Sequence, residues 1–492
     1  MNGFDYDEEK KRYADLAKDF RDSTEQFYQS LRNDMAHDEW ARNSYMDSLL
    51  GELSRDLDLG SLPNSCRAEE ATDRKPQAET APPAASPKNE ESPTKADEER
   101  PSMPPETPVS VPPEAVSGDF HEAPPVTEVE MTAGDFPGLK NGLTKGSILN
   151  DAGENLEWLE NWFKCHGTDE IPFAWKNLSD GRIVVDDGEM TRNDIWYIGD
   201  LHGDILAAET AIRFILGRNP DARIVFLGDL IDRQPYALNV FALVLKTAVK
   251  HPGQILWLEG NHDAGLSWKE EDGTGKFASA WDPHECADWL NLPENGKYCD
   301  LGKKFIEIAK DLPCALFLRG GLFVAHGGIP CKDILTTLDP QGVTVDTFRE
   351  ERFLRSYYIN RIAHKRRSIA HDEVGYEQTE MFSQLADAAL GFPVRGILRG
   401  HTHPCKIQRF EFYSKGVARD RDKDIIPVLT FVSLSAWLPD ERNNPPFETD
   451  LLVAHHRNHA MPELVKLKLP AGLVESFWYR EPEGEPKDAT VS

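Results

Sequence analysis

Three short apolar runs between residues 195 and 263 each end in a glycine that is followed by polar side chains. They lead to Gly199-Asp200, Gly228-Asp229 and Gly260-Asn261. Apolar runs of this length that end in a turn residue are typical of buried strands. Residues 206–216 and 235–249 lie between the runs and have helical periodicity. The pattern therefore predicts strand–helix crossovers and a largely parallel sheet.

Further strands are predicted along the second half of the chain. Residues 315–325 form two apolar runs around Gly320-Gly321, which predicts a hairpin. Further strand-like runs lie at residues 396–399, 406–413, 427–433, 451–455 and 464–469. Together the elements predict an α/β fold with layered α+β character, in which two mixed sheets pack face to face and are flanked by helices.

Before this region the pattern differs. Residues 1–60 carry apolar side chains at helical spacing, which predicts either a partner-binding helical segment or helices that fold back on the main domain. Residues 61–135 are rich in Pro, Glu and Ser, and we expect a disordered linker because such a stretch buries little apolar surface. The expected arrangement continues with a folded domain at 136–480 and a flexible tail at 481–492.

Composition and charge narrow the classes of function. The chain has 55 Lys and Arg residues against 84 Asp and Glu residues, a formal charge of -29 at pH 7. We expect no nucleic-acid or membrane partner, because polyanions repel such a chain. The seven cysteines form no CxxC pair, and neither a signal-peptide pattern nor a membrane-length apolar run occurs. These features favour a cytoplasmic location.

The polar residues that follow the predicted strands form a set of metal ligands. They are Asp200, His202, Asp229, Asn261, His326, His401 and, as a further candidate, His403. Two divalent cations about 3.5–4 Å apart need such oxygen and imidazole ligands, with one carboxylate able to bridge them. Asp229 is the predicted bridge, because it follows the middle one of the three consecutive strands. The glycines before these ligands would let the chain turn sharply towards the metals.

Three neighbouring residues suit acid catalysis and phosphate binding. His262 directly follows a predicted ligand and could protonate a leaving-group oxygen. Asp232 lies three residues after Asp229 and could orient the His262 imidazole. Arg233 could offer a planar fork of donors to two phosphate oxygens.

Five motifs resemble those of a known family. In order they are Gly-Asp-Leu-His-Gly (199–203), Gly-Asp-Leu-Ile-Asp-Arg (228–233), Gly-Asn-His-Asp (260–263), His-Gly-Gly (326–328) and Arg-Gly-His-Thr-His (399–403). Through them residues 190–440 resemble the calcineurin-like metallophosphoesterases, and most of all the phosphoprotein phosphatase branch and its bacterial relatives. The resemblance implies the β-sandwich fold of that family and a dinuclear metal centre.

The resemblance also implies a role for each candidate residue. The first metal would be held by Asp200, His202 and Asp229, and the second by Asp229, Asn261, His326 and His401. Manganese is the expected metal in vitro, with iron and zinc as alternatives, since imidazole and carboxylate ligands suit all three. In the wider family a histidine at the position of His403 also binds the first metal.

For the reaction, the resemblance implies in-line attack on phosphorus by a metal-activated hydroxide. His262 would be the acid, Asp232 its partner, and Arg233 and Asn261 would bind phosphate. The family uses a second phosphate-binding arginine between the fourth and fifth motifs. Arg367 is the best match by position, and Arg366 and Arg355 are alternatives.

Several positions depart from the Ser/Thr phosphatase pattern. Gln234 stands where those enzymes have glycine, Asp263 where they have glutamate, and His403 where they usually lack histidine. Residues 434–437 read Leu-Ser-Ala-Trp and lack the proline and tyrosine of the loop that overhangs the site in those enzymes. The departures leave the substrate open, while the hydrolytic chemistry remains expected.

We therefore expect a metal-dependent phosphatase whose substrate is a phosphoprotein (Ser/Thr, Tyr or both) or a small phosphate ester. One alternative is hydrolysis of nucleotides or dinucleotide polyphosphates. A second alternative is a binding or scaffold protein that keeps the fold without turnover. A protein partner of residues 1–60 is a further expectation.

Overall fold

A computed structural model of the chain describes residues 120–137, 139, 143–174, 182–186, 194–271, 274–362, 373–375, 377–403, 410–414, 426–435, 450–456 and 460–478. The predicted helical segment at 1–60, most of the predicted linker and the tail at 481–492 lie outside these residues. Among the described residues, no helix has both the length and the apolar character that crossing a membrane requires.

The described strands, numbered in chain order, are β1 Val126–Glu130, β2 Ile183–Val185, β3 Ile195–Ile198, β4 Arg223–Phe226, β5 Ile255–Trp257, β6 Ser267–Glu271, β7 Thr274–Ala278, β8 Ala315–Phe317, β9 Leu322–Ala325, β10 Arg361–Ile362, β11 Glu373–Val374, β12 Gly396–Arg399, β13 Phe410–Tyr413, β14 Val428–Phe431, β15 Asp450–His456 and β16 Glu463–Lys468. The described α-helices are α1 Lys145–Phe163, α2 Ile205–Arg218, α3 Ala237–Lys250, α4 Asn261–Gly265, α5 Glu285–Leu290, α6 Cys299–Ala309, α7 Lys332–Leu335, α8 Glu351–Ile359, α9 Glu377–Leu390 and α10 Ala471–Trp478.

Two six-stranded sheets form the centre of the fold. The first has the order β1-β16-β15-β3-β4-β5 and the second β13-β14-β12-β9-β8-β2. β3, β4 and β5 pair in parallel, and α2 and α3 are the crossovers between them. β15 runs antiparallel to β3, and β9 antiparallel to β8, so both sheets are mixed. The predicted α/β fold with two mixed sheets and flanking helices is confirmed.

One buried core contains side chains from both sheets, which shows that the sheets pack against each other. Ile198 and Val225 of the first sheet belong to it together with Leu316 and Leu398 of the second. Apolar side chains that leave water in this way supply the main favourable free energy of folding. The packing brings the ends of β3, β4, β9 and β12 towards one another, and the candidate ligands follow these strands.

The start of α2 is held next to the first motif. Asp204 caps the helix, since its side chain accepts the Ala207 backbone N–H at 2.9 Å. The same carboxylate accepts the Ser435 backbone N–H at 2.6 Å and its hydroxyl at 2.7 Å. Trp478 in α10 donates its indole N–H to the Ser435 hydroxyl at 3.0 Å. Helix α10 is thereby connected to the turn that carries His202.

Two elements differ from the hydrophobic pattern. β1 lies inside the stretch 61–135 and pairs in parallel with β16, so at this end the sheet includes residues that composition assigns to the linker. β1 is an edge strand of the sheet, and a short polar strand is suited to an edge position. β6 and β7 form a hairpin in a largely polar stretch. Its apolar face rests on one cross-strand pair, Trp268 and Phe277, with ring centroids 4.8 Å apart.

Candidate active site

The candidate ligands lie just after strands of both sheets. Asp200 and Asp229 follow β3 and β4, Asn261 follows β5, and His326 and His401 follow β9 and β12. In a parallel arrangement the carboxyl ends of neighbouring strands meet at the same edge of the sheet. All five side chains belong to such ends, and apart from the half-buried His401 they are buried.

Asp229 lies between the two sheets at the centre of the site. Its Oδ2 is 3.5 Å from His202 Nε2 and 3.3 Å from His326 Nε2. Its Oδ1 accepts the His262 backbone N–H at 2.9 Å. The carboxylate thus touches a histidine from each sheet, which is the placement that a bridging ligand requires.

His403 joins the first-sheet side of the site. Its Nε2 lies 3.1 Å from Asp200 Oδ2 and 3.2 Å from His202 Nε2. The Asp200 carboxylate also accepts the His401 backbone N–H, at 3.1 Å from each oxygen. The second histidine of the last motif therefore lies with the candidate ligands of the first metal.

In two candidate ligands, His202 and His326, a hydrogen bond at Nδ1 favours the tautomer that leaves Nε2 free to bind a metal. His202 Nδ1 lies 2.9 Å from Ile231 O, and His326 Nδ1 lies 2.9 Å from Leu227 O. A carbonyl oxygen can only accept, so Nδ1 carries the proton and donates it. The lone pair of a neutral ring then sits on Nε2, the nitrogen that faces Asp229. Metal-binding histidines are commonly oriented by such a bond.

The pKa values of these two histidines reflect the charges around them. Burial holds the pKa of His202 well below its ordinary value and keeps the ring neutral. Burial also disfavours the charged form of His326, but the carboxylates of Asp229 and Asp200 outweigh it and raise the pKa to about 9. These carboxylates favour a positive charge next to them. A proton on His326 can supply that charge, and so can a bound metal cation.

His262 and Asp232 form the pair that the sequence predicts. His262 Nδ1 lies 2.7 Å from Asp232 Oδ2, and Asp232 Oδ1 accepts the Cys286 backbone N–H at 3.0 Å. Burial disfavours a charged His262, but Asp229 and Asp232 outweigh burial and raise its pKa above the ordinary value. A raised pKa keeps a larger share of the imidazole protonated near neutral pH, which suits a general acid.

Backbone strain is concentrated at the site. The non-glycine residues with positive φ in the described part of the chain are His202 (44°), Asp229 (53°), Asp232 (69°), Arg233 (63°) and His401 (63°). Each is a site candidate from the sequence. A non-glycine residue in this region costs about 1–3 kcal/mol and persists only where its surroundings hold it. Such clustering is typical of functional sites.

The motif glycines act in two different ways. Gly228 has φ 101°, so it does provide the sharp turn that was predicted. Gly260 does not need a positive φ. A glycine is needed there because a side chain would not fit. A Cβ added there would lie 2.2 Å from both the backbone N and Oδ1 of Asp229. The position of the Asp229 carboxylate therefore depends on the missing side chain at residue 260.

Asp263 organises the turn that carries Asp229. Its carboxylate accepts the backbone N–H groups of Asp229 at 2.8 Å and Leu230 at 3.0 Å. It also accepts the Trp257 indole N–H at 3.2 Å. The sequence marked Asp263 only as a departure from the Ser/Thr phosphatases. The available signal was its place in the third motif, but its partners come from elements that only the fold brings together.

An arginine that the sequence analysis did not single out lies at the second-sheet side. Arg361 is exposed, and its Nε lies 3.4 Å from His401 Nε2. Arg367 and Arg366 lie outside the described residues, and Arg355 is exposed on α8. Arg361 begins the two-residue strand β10, which is too short to leave a hydrophobic pattern.

The two glycines after His326 explain why Arg361 comes so close. A Cβ at Gly327 would lie 2.8 Å from Asn360 O, and one at Gly328 would lie 3.0 Å from the same oxygen. Asn360 Nδ2 in turn donates to Ile329 O at 2.8 Å. The chain after α8 thus passes directly over the His-Gly-Gly turn, and the next residue is Arg361.

The donor set fits a pair of cations. Among the residues that the structure describes, three groups have ligand atoms that lie within 4.8 Å of one another: Asp200 with His202 and His403, His202 with Asp229 and His262, and Asp229 with His326 and His401. Hard carboxylate oxygens and imidazole nitrogens suit divalent manganese, iron or zinc. The buried His and Asp groups are consistent with a dimetal site.

Comparisons with known proteins agree with this geometry. The family model for calcineurin-like phosphoesterases matches residues 194–405. Serine/threonine-protein phosphatase PP1-1 of Saccharomyces cerevisiae is 25% identical over 175 residues, which are 35% of this chain and 51% of that protein. The chain thus spans about half the length of this curated relative.

Two solved structures resemble the chain more remotely. A Saccharomyces cerevisiae protein serine/threonine phosphatase with similarity to human phosphatase PP5 has a TM-score of 0.38 at 15% identity, covering 68% of this chain and 91% of its own. A cold-active protein-tyrosine phosphatase of a psychrophilic Shewanella has a TM-score of 0.31 at 15% identity, covering 60% and 81%. From the family match and the site, residues 194–405 form a calcineurin-like metallophosphoesterase domain, and the phosphoprotein phosphatases are distant relatives of this chain.

Proposed function

We propose that the protein is a dinuclear metal-dependent phosphatase that hydrolyses phosphomonoesters and acts on phosphoproteins. The observation that carries the proposal is the position of Asp229, whose Oδ2 lies 3.5 Å from His202 Nε2 and 3.3 Å from His326 Nε2. One carboxylate in contact with a histidine from each sheet is what two adjacent cations need.

The proposed ligands divide between two metals. The first is held by Asp200, His202, Asp229 and His403, and the second by Asp229, Asn261, His326 and His401. When bound, the cations supply Lewis acidity towards the phosphoryl oxygens and the attacking water. His202 and His326 contribute Nε2, because Nδ1 of each ring is occupied by a backbone carbonyl.

His262 is the proposed general acid and Asp232 the residue that orients it. The bond between His262 Nδ1 and Asp232 Oδ2 at 2.7 Å leaves Nε2 to deliver a proton to the leaving-group oxygen. Asp232 also stabilises the protonated ring by its charge. A positioned acid of this kind contributes about 10²- to 10⁴-fold to the rate.

Phosphate binding is assigned to Arg233, Asn261 and Arg361. Arg233 Nε is buried and has no hydrogen-bond partner among the described residues, which supports an anion as its partner. Arg361 lies next to His401 and is exposed, so it can reach a phosphate that enters from solvent. Arg367 stays a candidate from the sequence alone.

The substrate proposal is supported by the relatives. The relative that is 25% identical over 175 residues is a serine/threonine-protein phosphatase. We propose phosphoproteins as substrates and a cytoplasmic location. Residues 1–60 are the proposed partner-binding segment, and the part of the predicted linker 61–135 that precedes β1 is the proposed tether.

A substrate panel tests the proposal. Full-length protein with added Mn²⁺ is assayed on an aryl phosphate, on Ser-, Thr- and Tyr-phosphorylated peptides, and on diadenosine tetraphosphate and nucleotides. We expect turnover of the aryl phosphate and of phosphopeptides, and no turnover with Asp229→Asn. Turnover of nucleotides alone would assign the protein to polyphosphate hydrolysis, and turnover of nothing would favour a scaffold role.

A further inference from the structure

The short helix α5 meets the loop that carries Asp232 and Arg233. Its first residue, Glu285, accepts the Arg233 backbone N–H through Oε2 at 3.0 Å. The next residue, Cys286, donates its backbone N–H to Asp232 Oδ1, also at 3.0 Å. Two consecutive residues of α5 therefore hold two consecutive residues of the candidate site.

The segment before α5 is anchored to the third motif. Trp281 packs against Gly265 at the end of α4, where an added Cβ would lie 2.5 Å from Trp281 Cδ1. Ala280 donates its backbone N–H to Gly265 O at 3.1 Å. Because α4 also contains His262, residues 280–286 connect the turn of the general acid to the loop of its partner.

The residues that α5 holds are strained. Asp232 and Arg233 have φ values of 69° and 63°, a region that side-chain-bearing residues avoid. The following amide, of Gln234, donates to His202 O at 3.0 Å. The φ angle sets the direction of the Cα–Cβ bond. The direction in which the Arg233 side chain points therefore depends on the hydrogen bonds made by the Arg233 and Gln234 amides.

We infer that Glu285 is a positioning residue for Arg233. By accepting the Arg233 amide, its carboxylate holds Arg233 in the left-handed conformation that directs the guanidinium to the substrate phosphate. A charged acceptor makes a stronger bond to a backbone N–H than a neutral one does. The inference rests on the proposed function of Arg233, and Glu285 itself does not need to touch the substrate.

The test uses three variants of the full-length protein with Mn²⁺ and an aryl phosphate. Glu285→Ala removes the acceptor, and we expect KM to rise about tenfold, equivalent to about 1.4 kcal/mol, with kcat within about threefold. Inhibition by orthophosphate should weaken by the same factor. Glu285→Gln keeps an acceptor oxygen and should restore most of the loss. Asp288→Ala removes an exposed carboxylate from the same helix and should behave as the wild type.

A double-mutant cycle shows whether Glu285 acts through Arg233. If it does, adding Glu285→Ala to Arg233→Ala should change KM no further, since coupled residues are not additive. Additive effects on KM would overturn the inference. A lower KM in Glu285→Ala would also overturn it, because it would mean that the carboxylate repels phosphate and does not position the arginine.

The same measurements separate this inference from the proposed function. If the wild type hydrolyses the aryl phosphate and Glu285→Ala has an unchanged KM, the inference fails and the phosphatase stands. If the wild type hydrolyses nothing, the proposed function fails. Calorimetric binding of orthophosphate in the presence of Mn²⁺ then decides the role of Glu285, with weaker binding by Glu285→Ala supporting it and equal or undetectable binding rejecting it.

Discussion

In the half of the site that follows the strands of the first sheet, the turns that carry the candidate residues contact one another over moderate separations in sequence. His202 Nδ1 bonds Ile231 O 29 residues away, and the His262 amide bonds Asp229 33 residues away. The half that comes from the second sheet reaches the first over longer distances. His326 bonds Leu227 O 99 residues away, and the His401 amide bonds Asp200 201 residues away.

The difference shows where the chemistry depends on local turns and where it depends on the whole fold. The first-sheet half needs neighbouring strand–turn units in register, which a short sequence motif can encode. The second-sheet half exists only when the two sheets pack together. Asp229 belongs to the first half but touches His326 of the second at 3.3 Å. Substitutions should therefore be most damaging at Asp229 and milder towards the rim of either half.

The largest effect is expected for Asp229→Asn. The amide keeps the size of the side chain but loses the charge and one acceptor oxygen, so both halves lose the carboxylate that we propose they share. We expect hydrolysis of an aryl phosphate with Mn²⁺ to fall by at least about a thousandfold, because a metal supplies several kcal/mol of transition-state stabilisation. Activity within tenfold of the wild type would contradict the central role of Asp229.

The second effect tests the contact between neighbouring turns of the first-sheet half. In Gly260→Ala the new methyl group would sit 2.2 Å from the backbone N and Oδ1 of Asp229. We expect calorimetric Mn²⁺ affinity to fall by about 10- to 100-fold, as for damage to the groups that orient metal ligands. Gly217→Ala is the control, because nothing lies within 4 Å of a Cβ added at this helical glycine. Its affinity should equal that of the wild type.

The third effect separates proton donation from metal binding within the first-sheet half. His262→Asn removes the group that Asp232 orients at 2.7 Å. We expect kcat for an aryl phosphate with a poor leaving group to fall by about 100-fold, while the number of bound Mn²⁺ ions stays the same. An unchanged kcat would show that His262 is not the acid. Loss of one Mn²⁺ would place it among the ligands instead.

The smallest effect concerns the rim of the second-sheet half. Arg361→Ala removes the guanidinium next to His401, and we expect KM to rise about tenfold, the value of one charge-assisted hydrogen bond of about 1.5 kcal/mol. Arg352→Ala removes an exposed arginine from the preceding helix and serves as the control. Arg367→Ala is the competing variant. If Arg367→Ala raises KM and Arg361→Ala does not, Arg367 is the second phosphate-binding arginine and Arg361 is not.

The sequence predicted the central strands, and it named the candidate ligands of the first-sheet half because each strand there is followed within a few residues by its own candidate. The crossover helices α2 and α3 and the two mixed sheets followed from the same periodicity. Arg361 could not be predicted, since its position depends on how closely the chain approaches the His-Gly-Gly turn. Asp263 was recognised as a motif position, but the amides that it accepts belong to the neighbouring turn, and only the tertiary structure reveals this.

The edges of the fold were less predictable for a related reason. β1 is an exposed edge strand with alternating polar residues, so it carries almost no hydrophobic signal and resembles the linker that precedes it. The hairpin of β6 and β7 likewise depends on one aromatic pair. In both cases the partner strand, and not the local sequence, decides that the segment is a strand.

The most direct test of the account is the number of metal ions that the two halves hold together. Full-length protein freed of metal is titrated with Mn²⁺ in a calorimeter, together with His326→Ala, which removes a proposed ligand supplied by the second sheet. We predict two Mn²⁺ ions per wild-type chain and one tightly bound ion in the variant, held by the first-sheet half together with His403. A single ion in the wild type, or two equally tight ions in the variant, would contradict a dinuclear centre shared between the two sheets.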